Sequence, residues 1–370
     1  MEHNWETIIA AAKRENNSRR SFVLVNRLQG KHVPASPLQA MEMFRQLADA
    51  LKQRYPSEPC LAIGFAETAT AIGLAVAQAC QYASMTTTRE PLPDVSYLFF
   101  SEAHSHATEQ KLVQDDLDSI TGQIKRIVFV EDEVTTGRTI LQIVQLLRKQ
   151  YGADRFSFTA ASLLNGMGET EQAVYAREQI DCVFLHKTMP ELYDDLLAQY
   201  TQLGAAHSLP QAHGLTAPVF CFDGRLELRR LQQPRQIQQQ CAALWEFVQQ
   251  QIAVQPQERI LVLGTEEFMY PALAIGQQLE QAGCQVWCHA TTRSPIIPIR
   301  QQGYPLQARW QLCSLYDARR TTYLYELNSY DKVIVITDAV LQNNRGWETL
   351  LAALRETGNQ CIYGIEWRRL

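Results

Sequence analysis

The segment from Ile127 to Thr139, IVFVEDEVTTGRT, constrains the fold of this chain more than any other stretch. Its first four residues are β-branched or aromatic, so they predict a buried strand. Three carboxylates follow, Glu131, Asp132 and Glu133, and then a loop that contains hydroxyl residues and one glycine. Residues 140–150 carry apolar side chains at helical spacing. The segment therefore predicts strand, acidic turn, loop and helix in that order, as in an α/β protein.

This order of elements suits a ligand that carries both a phosphate and a sugar. A helix N-terminus presents free backbone N–H groups, and Gly137 lets an anion approach the backbone closely. The hydroxyls of Thr135, Thr136 and Thr139 can donate to phosphate oxygens, and carboxylates at a strand end can accept hydrogen bonds from sugar hydroxyls. The alternative is an ordinary strand-to-helix turn with solvated acids.

The same segment resembles the phosphoribosyl pyrophosphate signature of type I phosphoribosyltransferases, such as orotate phosphoribosyltransferase. The resemblance implies that Glu131 and Asp132 hold the ribose hydroxyls and that the loop from Thr135 to Thr139 holds the 5′-phosphate. Arg138 departs from the pattern, because a second glycine is usual there, and it adds charge near the phosphate. The resemblance implies roles for Glu131, Asp132, Thr135, Thr136, Gly137, Arg138 and Thr139.

Two upstream stretches have the positions that this family uses for pyrophosphate. Cys60–Cys80 predicts a short strand, a turn with Glu67 and Thr68, and a helix of small residues. A strand over Tyr82–Met85 then ends in a run of threonines and Arg89. The resemblance implies that Glu67, Thr68 and Arg89 lie near the pyrophosphate.

A polar segment follows the strand predicted for Tyr97–Phe100. It contains Glu102, His104 and His106. These three residues are candidate catalytic residues in addition to Glu131 and Asp132. The two histidines could be metal ligands, acid/base groups or part of a polar lid. The resemblance favours a mobile lid between Glu102 and Glu109, and a plain surface loop is the alternative.

The second half of the chain repeats the first in outline. Arg259–Leu279 has the order strand, glycine, Thr/Glu turn and small-residue helix of Cys60–Cys80, and Gln285–Pro295 repeats a strand followed by Thr-Thr-Arg. Lys332–Val340 repeats the strand of the signature, with one acid and without the threonine loop. This pattern predicts either a degenerate duplication or the ordinary recurrence of strand–turn–helix units in a doubly wound protein.

The string Thr-Arg-Ser-Pro in this half resembles the TRSP domain. That domain follows a phosphoribosyltransferase domain in proteins from bacterial tellurite-resistance and stress gene clusters. We expect a phosphoribosyltransferase domain over 1–215 and a TRSP domain over 216–370, both α/β, the first with an open, mostly parallel sheet. A second-domain pocket is expected from Thr265, Glu266, Thr292, Arg293, Ser294, Arg319 and Arg320. The alternative for Arg293 is a structural ion pair with Asp338 or Glu266.

Composition narrows the class of partner. The net charge of −5 gives no support for nucleic-acid binding. The nine scattered cysteines are typical of a reducing, cytoplasmic environment. No apolar run is long enough to span a membrane. The N-terminal segment from Asn4 to Glu15 predicts an amphipathic helix and not a secretion signal.

Three functions agree with these observations. The first is Mg²⁺-dependent phosphoribosyl transfer from phosphoribosyl pyrophosphate to a base-like nitrogenous acceptor. In this reaction the metal would bridge ligand oxygens and would need no cage of protein ligands. The second is a sensor that binds a phosphoribosyl ligand without turnover, and the third is N-glycosidic cleavage by phosphate or pyrophosphate. A homodimer is compatible with each of these three functions, and the sequence does not identify the acceptor.

Overall fold

A computed structural model describes residues 4–15, 20–100, 110–212 and 214–368. Its helices are α1 (Trp5–Ile8), α2 (Pro37–Arg54), α3 (Thr70–Cys80), α4 (Gln114–Ile120), α5 (Arg138–Tyr151), α6 (Glu169–Arg177), α7 (Tyr193–Ala198), α8 (Pro234–Gln251), α9 (Tyr270–Gln281) and α10 (Arg345–Glu356), with a short 3-10 helix at Pro190–Leu192. Its strands are β1 (Ile9–Lys13), β2 (Phe22–Asn26), β3 (Cys60–Gly64), β4 (Ala83–Thr86), β5 (Tyr97–Phe100), β6 (Gln110–Val113), β7 (Arg126–Val134), β8 (Ser157–Asn165), β9 (Ile180–Lys187), β10 (Ala205–His207), β11 (Val219–Asp223), β12 (Arg259–Thr265), β13 (Gln285–Thr291), β14 (Ala308–Cys313), β15 (Thr321–Tyr325), β16 (Lys332–Thr337) and β17 (Ile362–Arg368).

The chain divides into two compact units, each built from more than one segment. The signature unit comprises Glu42–Thr188 and Leu226–Gln240. The companion unit comprises Met1–Met41, Met189–Arg225 and Cys241–Leu370. This grouping does not test the predicted domain division at 215/216, which stays a prediction.

The signature unit is built on a five-stranded parallel sheet in the order β4-β3-β7-β8-β9. Every residue of β3 and the first five residues of β7 are buried, because these apolar runs are covered on both faces of the sheet. Helix α5 packs its apolar stripe inward through Ile140, Ile143, Val144 and Leu147. Strands β5 and β6 form a separate antiparallel pair.

Strand β7 is longer than its apolar run. The sequence predicted that the strand ends before the acids, whereas the structure continues it through Glu131, Asp132 and Glu133 to Val134. Glu131 pairs with Ser162 and Glu133 with Leu164 on β8. The neighbouring strand satisfies the backbone hydrogen bonds of the acids, so the carboxylates belong to the strand end and not to a turn.

The companion unit contains a second five-stranded parallel sheet, in the order β11-β17-β16-β12-β13. An antiparallel pair, β14-β15, is extended by β10, and β1 pairs antiparallel with β2. The buried cluster of this unit lies between the sheet and α10, with Trp347, Leu350 and Leu354 contributed by the helix. The predicted fold class, α/β with open parallel sheets, is confirmed for both units.

The helix predicted for Asn4–Glu15 is wrong. Only Trp5–Ile8 is helical, and Ile9–Lys13 forms β1 with Ile9 opposite Asn26 and Lys13 opposite Phe22. Ala11 and Ala12 are buried in this strand. Pairing with β2 overrides a helical preference that is only local, because it satisfies the backbone of a buried segment.

Within the described ranges, no helix combines the length and apolar composition that a bilayer crossing requires.

Candidate functional site

The carboxyl ends of β3 and β7 lie side by side at one edge of the signature sheet. Gly64 pairs with Val130, and the Phe65 N–H donates to the Val130 carbonyl at 3.0 Å. The turn after β3 and the acids at the end of β7 therefore share an edge. Ligands of open α/β sheets bind at such carboxyl edges.

Glycines allow this arrangement by letting α3 approach β3 closely. A Cβ added at Gly73 would lie 2.6 Å from the Gly64 Cα, and one added at Gly64 would lie 2.8 Å from the Ala69 carbonyl oxygen. No side chain fits at either position without moving backbone atoms. The contact fixes where the turn between β3 and α3 begins.

The turn after β3 carries Glu67 and Thr68. The peptide bond between Ala66 and Glu67 is cis, and the Glu67 side chain is buried. The Ala66 N–H donates to the Thr87 hydroxyl oxygen at 2.8 Å, and the Thr87 hydroxyl donates to the Gln110 Oε1 at 3.0 Å. These bonds join the turn to the segment that leads into Arg89.

The acids at the end of β7 have an unusual electrostatic environment. Burial raises the pKa of the Glu131 carboxyl well above its usual range, repulsion from Asp132 raises it further, and Arg89 opposes both effects. Arg89, predicted to be near the pyrophosphate, therefore acts electrostatically on the predicted ribose carboxylate. The structure brings together Glu67, Arg89, Glu131 and Asp132 at one sheet edge.

The loop between β7 and α5 has the geometry of an anion-binding helix start. Gly137 is the N-cap of α5 and has φ +67°, a conformation that favours glycine. Thr136 and Arg138 are exposed, and Thr135 and Thr139 are partly buried. The backbone N–H groups of the first helical turn are available for an oxyanion.

Tyr175 on α6 supports this loop, a role that the sequence motifs do not predict. Its hydroxyl donates to the Gly137 carbonyl at 2.8 Å. A Cβ at Gly137 would lie 2.6 Å from Tyr175 Cε2. Tyr175 is the buried residue of α6, and this isolated aromatic residue in a polar helix was the signal available in the sequence.

Glu102, His104, His106 and the predicted lid between Glu102 and Glu109 lie outside the described residues. Strands β5 and β6, which flank them, are described. The predicted strand Tyr97–Phe100 is confirmed as β5. Within the described ranges, no group of three or more His, Cys, Asp or Glu side chains could hold a metal ion.

The carboxyl edge of the companion sheet contains several residues of the predicted second-domain pocket. Arg293 Nε lies 2.6 Å from Glu266 Oε2, so the structural ion pair considered for Arg293 is present with Glu266. Arg320 Nε is 3.4 Å from the same oxygen. Thr265 donates or accepts a 2.7 Å hydrogen bond with Tyr316.

The remaining residues of that predicted pocket have different surroundings. Thr292 is buried and exchanges two backbone hydrogen bonds with Tyr323. The Ser294 N–H donates to the Thr292 hydroxyl oxygen at 3.2 Å. Arg319 is 93% exposed and pairs with Asp317, so it lies away from the buried group. The pocket itself stays a prediction.

The parallel sheet, the acids at the end of β7 and the glycine loop before α5 all lie in the part of the chain that matches a known family. Residues 8–190 match the model of the PRTase_2 family, described as phosphoribosyl transferase. Residues 223–354 match the model described as the TRSP domain, C-terminal to PRTase_2. The chain therefore carries a domain of the phosphoribosyl transferase family followed by a TRSP domain.

Solved structures similar to this chain include several phosphoribosyltransferases. Adenine phosphoribosyltransferase from Rhodothermus marinus is 14% identical with a TM-score of 0.35, covering 50% of this chain and 96% of that chain. The Trypanosoma brucei adenine enzyme, in complex with AMP, pyrophosphate and ribose-5-phosphate, is 16% identical with a TM-score of 0.35, covering 50% and 78%. Orotate phosphoribosyltransferase from Aeropyrum pernix is 18% identical with a TM-score of 0.34, covering 52% and 94%. No curated protein matches the sequence.

Proposed function

We propose that the signature unit transfers a phosphoribosyl group from phosphoribosyl pyrophosphate to a nitrogenous acceptor and releases pyrophosphate. One observation carries this proposal. The acid pair at the end of β7 and the Gly137 loop at the start of α5 are consecutive, and they lie at the same sheet edge as the turn with Glu67. A single sugar phosphate with a second phosphate group on C1 would match all three.

Each part of this edge has a role in the proposal. Glu131 and Asp132 accept hydrogen bonds from the ribose hydroxyls, which charge-assisted geometry makes strong. The backbone N–H groups and hydroxyls of Thr135, Thr136, Gly137, Arg138 and Thr139 hold the 5′-phosphate. Glu67, Thr68 and Arg89 lie near the pyrophosphate.

The proposed reaction breaks one bond and forms one. The acceptor nitrogen attacks C1 of the ribose with its lone pair, and the C1–oxygen bond to pyrophosphate breaks with its electrons on the leaving oxygen. Positive charge develops on the sugar ring in the transition state. The carboxylates of Glu131 and Asp132, which bind the ribose, stabilise that positive charge, and Arg89 stabilises the negative charge on pyrophosphate. The protein contributes mainly position and electrostatics.

The residues at this edge fit a magnesium ion held mostly by ligand oxygens. Glu131 and Asp132 provide the carboxylate oxygens that Mg²⁺ prefers. The pKa of Glu131 is raised by burial first and then by the negative charge of Asp132, and a cation would neutralise that charge. When bound, Mg²⁺ would neutralise charge on the pyrophosphate.

A turnover assay tests the proposal. The protein is mixed with phosphoribosyl pyrophosphate, Mg²⁺ and a panel of nitrogenous bases, and released pyrophosphate is measured. We expect acceptor-dependent release that the Glu131→Ala, Asp132→Ala double variant lacks. Tight binding without release across the panel would instead support the sensor, and phosphate-dependent cleavage of a nucleotide would support the reverse chemistry.

Several expectations stay predictions. These are the catalytic roles of Glu102, His104 and His106, a cytoplasmic location, a homodimer, and a role in tellurite resistance or stress response. Mass spectrometry of a small molecule that co-purifies with the protein would identify the acceptor most directly.

A further inference from the structure

Each of the two units contains a side-chain hydrogen bond at the same position of its sheet. In the signature unit, the Ala66 N–H donates to the Thr87 hydroxyl oxygen at 2.8 Å. In the companion unit, the Glu266 N–H donates to the Thr291 hydroxyl oxygen at 3.0 Å. In both cases the donor lies two residues after a glycine, which is Gly64 at the last position of β3 or Gly264 at the position before the last of β12. Glu266 therefore stands where the signature unit has Ala66.

The antiparallel pairs extend this equivalence. Thr88 exchanges backbone hydrogen bonds with Lys111 on β6, and Thr292 exchanges them with Tyr323 on β15. The next residue in each unit is an arginine, Arg89 or Arg293. The four strands β4-β3-β7-β8 correspond in order and direction to β13-β12-β16-β17.

The strand pairing also relates the acids of the two units. Gly64 pairs with Val130, and Leu263, the residue before Gly264, pairs with Val335. Counting onward from these pairs makes Thr337 the counterpart of Glu131 and Asp338 the counterpart of Asp132. The companion unit thus keeps one acid and the arginine of the proposed phosphoribosyl site.

Glu266 is the main charged substitution at this edge, and its carboxylate has the surroundings of a bound anion. The side chain is 1% exposed. Arg293 Nε lies 2.6 Å from Oε2, Arg320 Nε lies 3.4 Å from the same oxygen, and the Ser314 hydroxyl donates to Oε1 at 2.5 Å. The buried Lys31 ammonium donates to the Glu266 backbone carbonyl at 2.9 Å, so a third positive charge lies beside this turn.

The acid that the companion unit keeps, Asp338, is also hydrogen-bonded to a side chain of the same unit. The Tyr316 hydroxyl donates to Asp338 Oδ1 at 2.5 Å and is 2.7 Å from the Thr265 hydroxyl. Tyr316 belongs to the loop between β14 and β15, the counterpart of the segment between β5 and β6. A phenol hydroxyl therefore meets Asp338 where the counterpart carboxylate, Asp132, is proposed to meet a sugar hydroxyl.

We propose that the companion unit contains a second oxyanion site, of the kind that takes pyrophosphate, and that the chain fills it with its own Glu266 carboxylate. Tyr316 takes the place of the ligand hydroxyl on Asp338. A buried carboxylate between two guanidinium groups is strongly held, because removing one partner leaves uncompensated charge. An external anion cannot displace it, so the intact companion unit does not bind phosphate esters at this edge.

Removal of Glu266 should open the site to external anions. Glu266→Ala introduces the residue found at position 66 and takes one carboxylate away from Arg293 and Arg320, while Lys31 stays beside the turn. Glu267 Oε1 is 3.8 Å from Arg293 Nη2, so in the variant Glu267 still neutralises part of the positive charge. The surplus positive charge should recruit an oxyanion by charge-assisted hydrogen bonds.

The test uses pyrophosphate as the probe and the full chain in an Arg89→Ala background, which weakens the proposed pyrophosphate contacts of the signature unit. Calorimetry compares this parent with the added Glu266→Ala change. We expect pyrophosphate to bind the added variant about tenfold more tightly than the parent, or more. Because the comparison is between two variants with the same signature unit, it stands even where the proposed transferase activity fails.

A matched control removes a different ion-paired carboxylate, which directly precedes β12 at the amino end of the same sheet. Glu258 pairs with Lys332 at the start of β16, and Glu258→Ala should leave pyrophosphate affinity unchanged. Glu266→Gln keeps the side-chain shape if the alanine variant is poorly folded, and pyrophosphate should raise its melting temperature by mass action. The proposal is overturned if neither Glu266 variant gains binding or thermal stabilisation beyond the Glu258→Ala control.

Discussion

At the scale of single residues, the partly buried Glu131 carboxylate links the site to pH. Its pKa is raised in the folded protein by burial and by Asp132, so the folded state keeps the proton to a higher pH than the unfolded chain. Stability is therefore lost as pH rises from the unfolded value of about 4.3 towards the folded pKa, and the loss persists above it.

Glu131→Gln replaces the titrating carboxyl by a neutral amide, so this loss of folding stability at higher pH should disappear. We expect the ligand-free variant to be more stable than the natural protein at pH 7–8, by about 1.4 kcal/mol for each unit of the pKa increase, and equally stable near pH 4. Chemical denaturation at both pH values measures the difference. A variant that is less stable at pH 8 than at pH 4, relative to the natural protein, would show that the carboxylate is not destabilised by burial.

Tyr175 is a second residue whose role can be isolated. Tyr175→Phe removes the hydroxyl that holds the Gly137 carbonyl and keeps the ring that packs beneath the loop. Loss of one hydrogen bond of about 1 kcal/mol should weaken phosphoribosyl pyrophosphate binding about fivefold, with little change in melting temperature.

Tyr151→Phe is the matched control for this change. Tyr151 ends the same helix, α5, and its hydroxyl donates to Asp118 on the exposed side of the unit. Its removal should leave ligand affinity unchanged. Equal affinities for the two variants would mean that Tyr175 supports the fold and does not position the loop.

Site residues that lie close together in the sequence could be predicted from the sequence. The acids, the glycine and the threonines of the signature lie within thirteen consecutive positions, and the structure places them at one sheet edge. Contacts between distant residues were not accessible. Tyr175 reaches Gly137 from another helix, and Glu266 meets Ser314 across 48 positions of the chain.

At the scale of elements, the close approach of α3 to β3 controls the turn after β3. Gly73→Ala places a methyl group against the backbone of Gly64. The gain in helix propensity is about 1 kcal/mol, and overpacking against backbone should exceed it, so we expect a net loss of about 1–2 kcal/mol in the free energy of unfolding.

Gly122→Ala provides the comparison for this element. A Cβ at Gly122 meets no atom within 4 Å, so stability should be unchanged within about 0.5 kcal/mol. Gly73→Ala should also weaken phosphoribosyl pyrophosphate binding, because the turn with Glu67 moves. If Gly73→Ala is as stable as Gly122→Ala, the contact does not constrain the turn.

Element predictions succeeded where an apolar run determines the strand, as in the fully buried Cys60–Gly64 and the half-buried Tyr97–Phe100. They failed where pairing partners decide. The acids of β7 are extended because β8 accompanies them, and Ile9–Lys13 is a strand because β2 lies beside it. Periodicity over a short window does not contain that information.

At the scale of the whole molecule, the recurrence of strand, turn and helix in the second half predicted a related unit. The structure shows two parallel sheets with four strands in the same order and direction. The fifth strand differs, since β9 follows its sheet in sequence and β11 precedes its sheet. A degenerate duplication stays our interpretation of this shared topology.

The acid pair at the end of β7 is proposed to hold the ribose of phosphoribosyl pyrophosphate. Calorimetric titration with this ligand, in the presence of Mg²⁺, compares the natural protein with Glu131→Ala, Asp132→Ala and with a control that loses the exposed acids Asp154 and Glu169. Loss of two charged hydrogen bonds should cost about 3–6 kcal/mol, at least a hundredfold in affinity. We expect the natural protein and the control to bind the ligand and the acid-pair variant to show no measurable binding. Unchanged affinity in a folded acid-pair variant would contradict the assignment of these acids to the ribose.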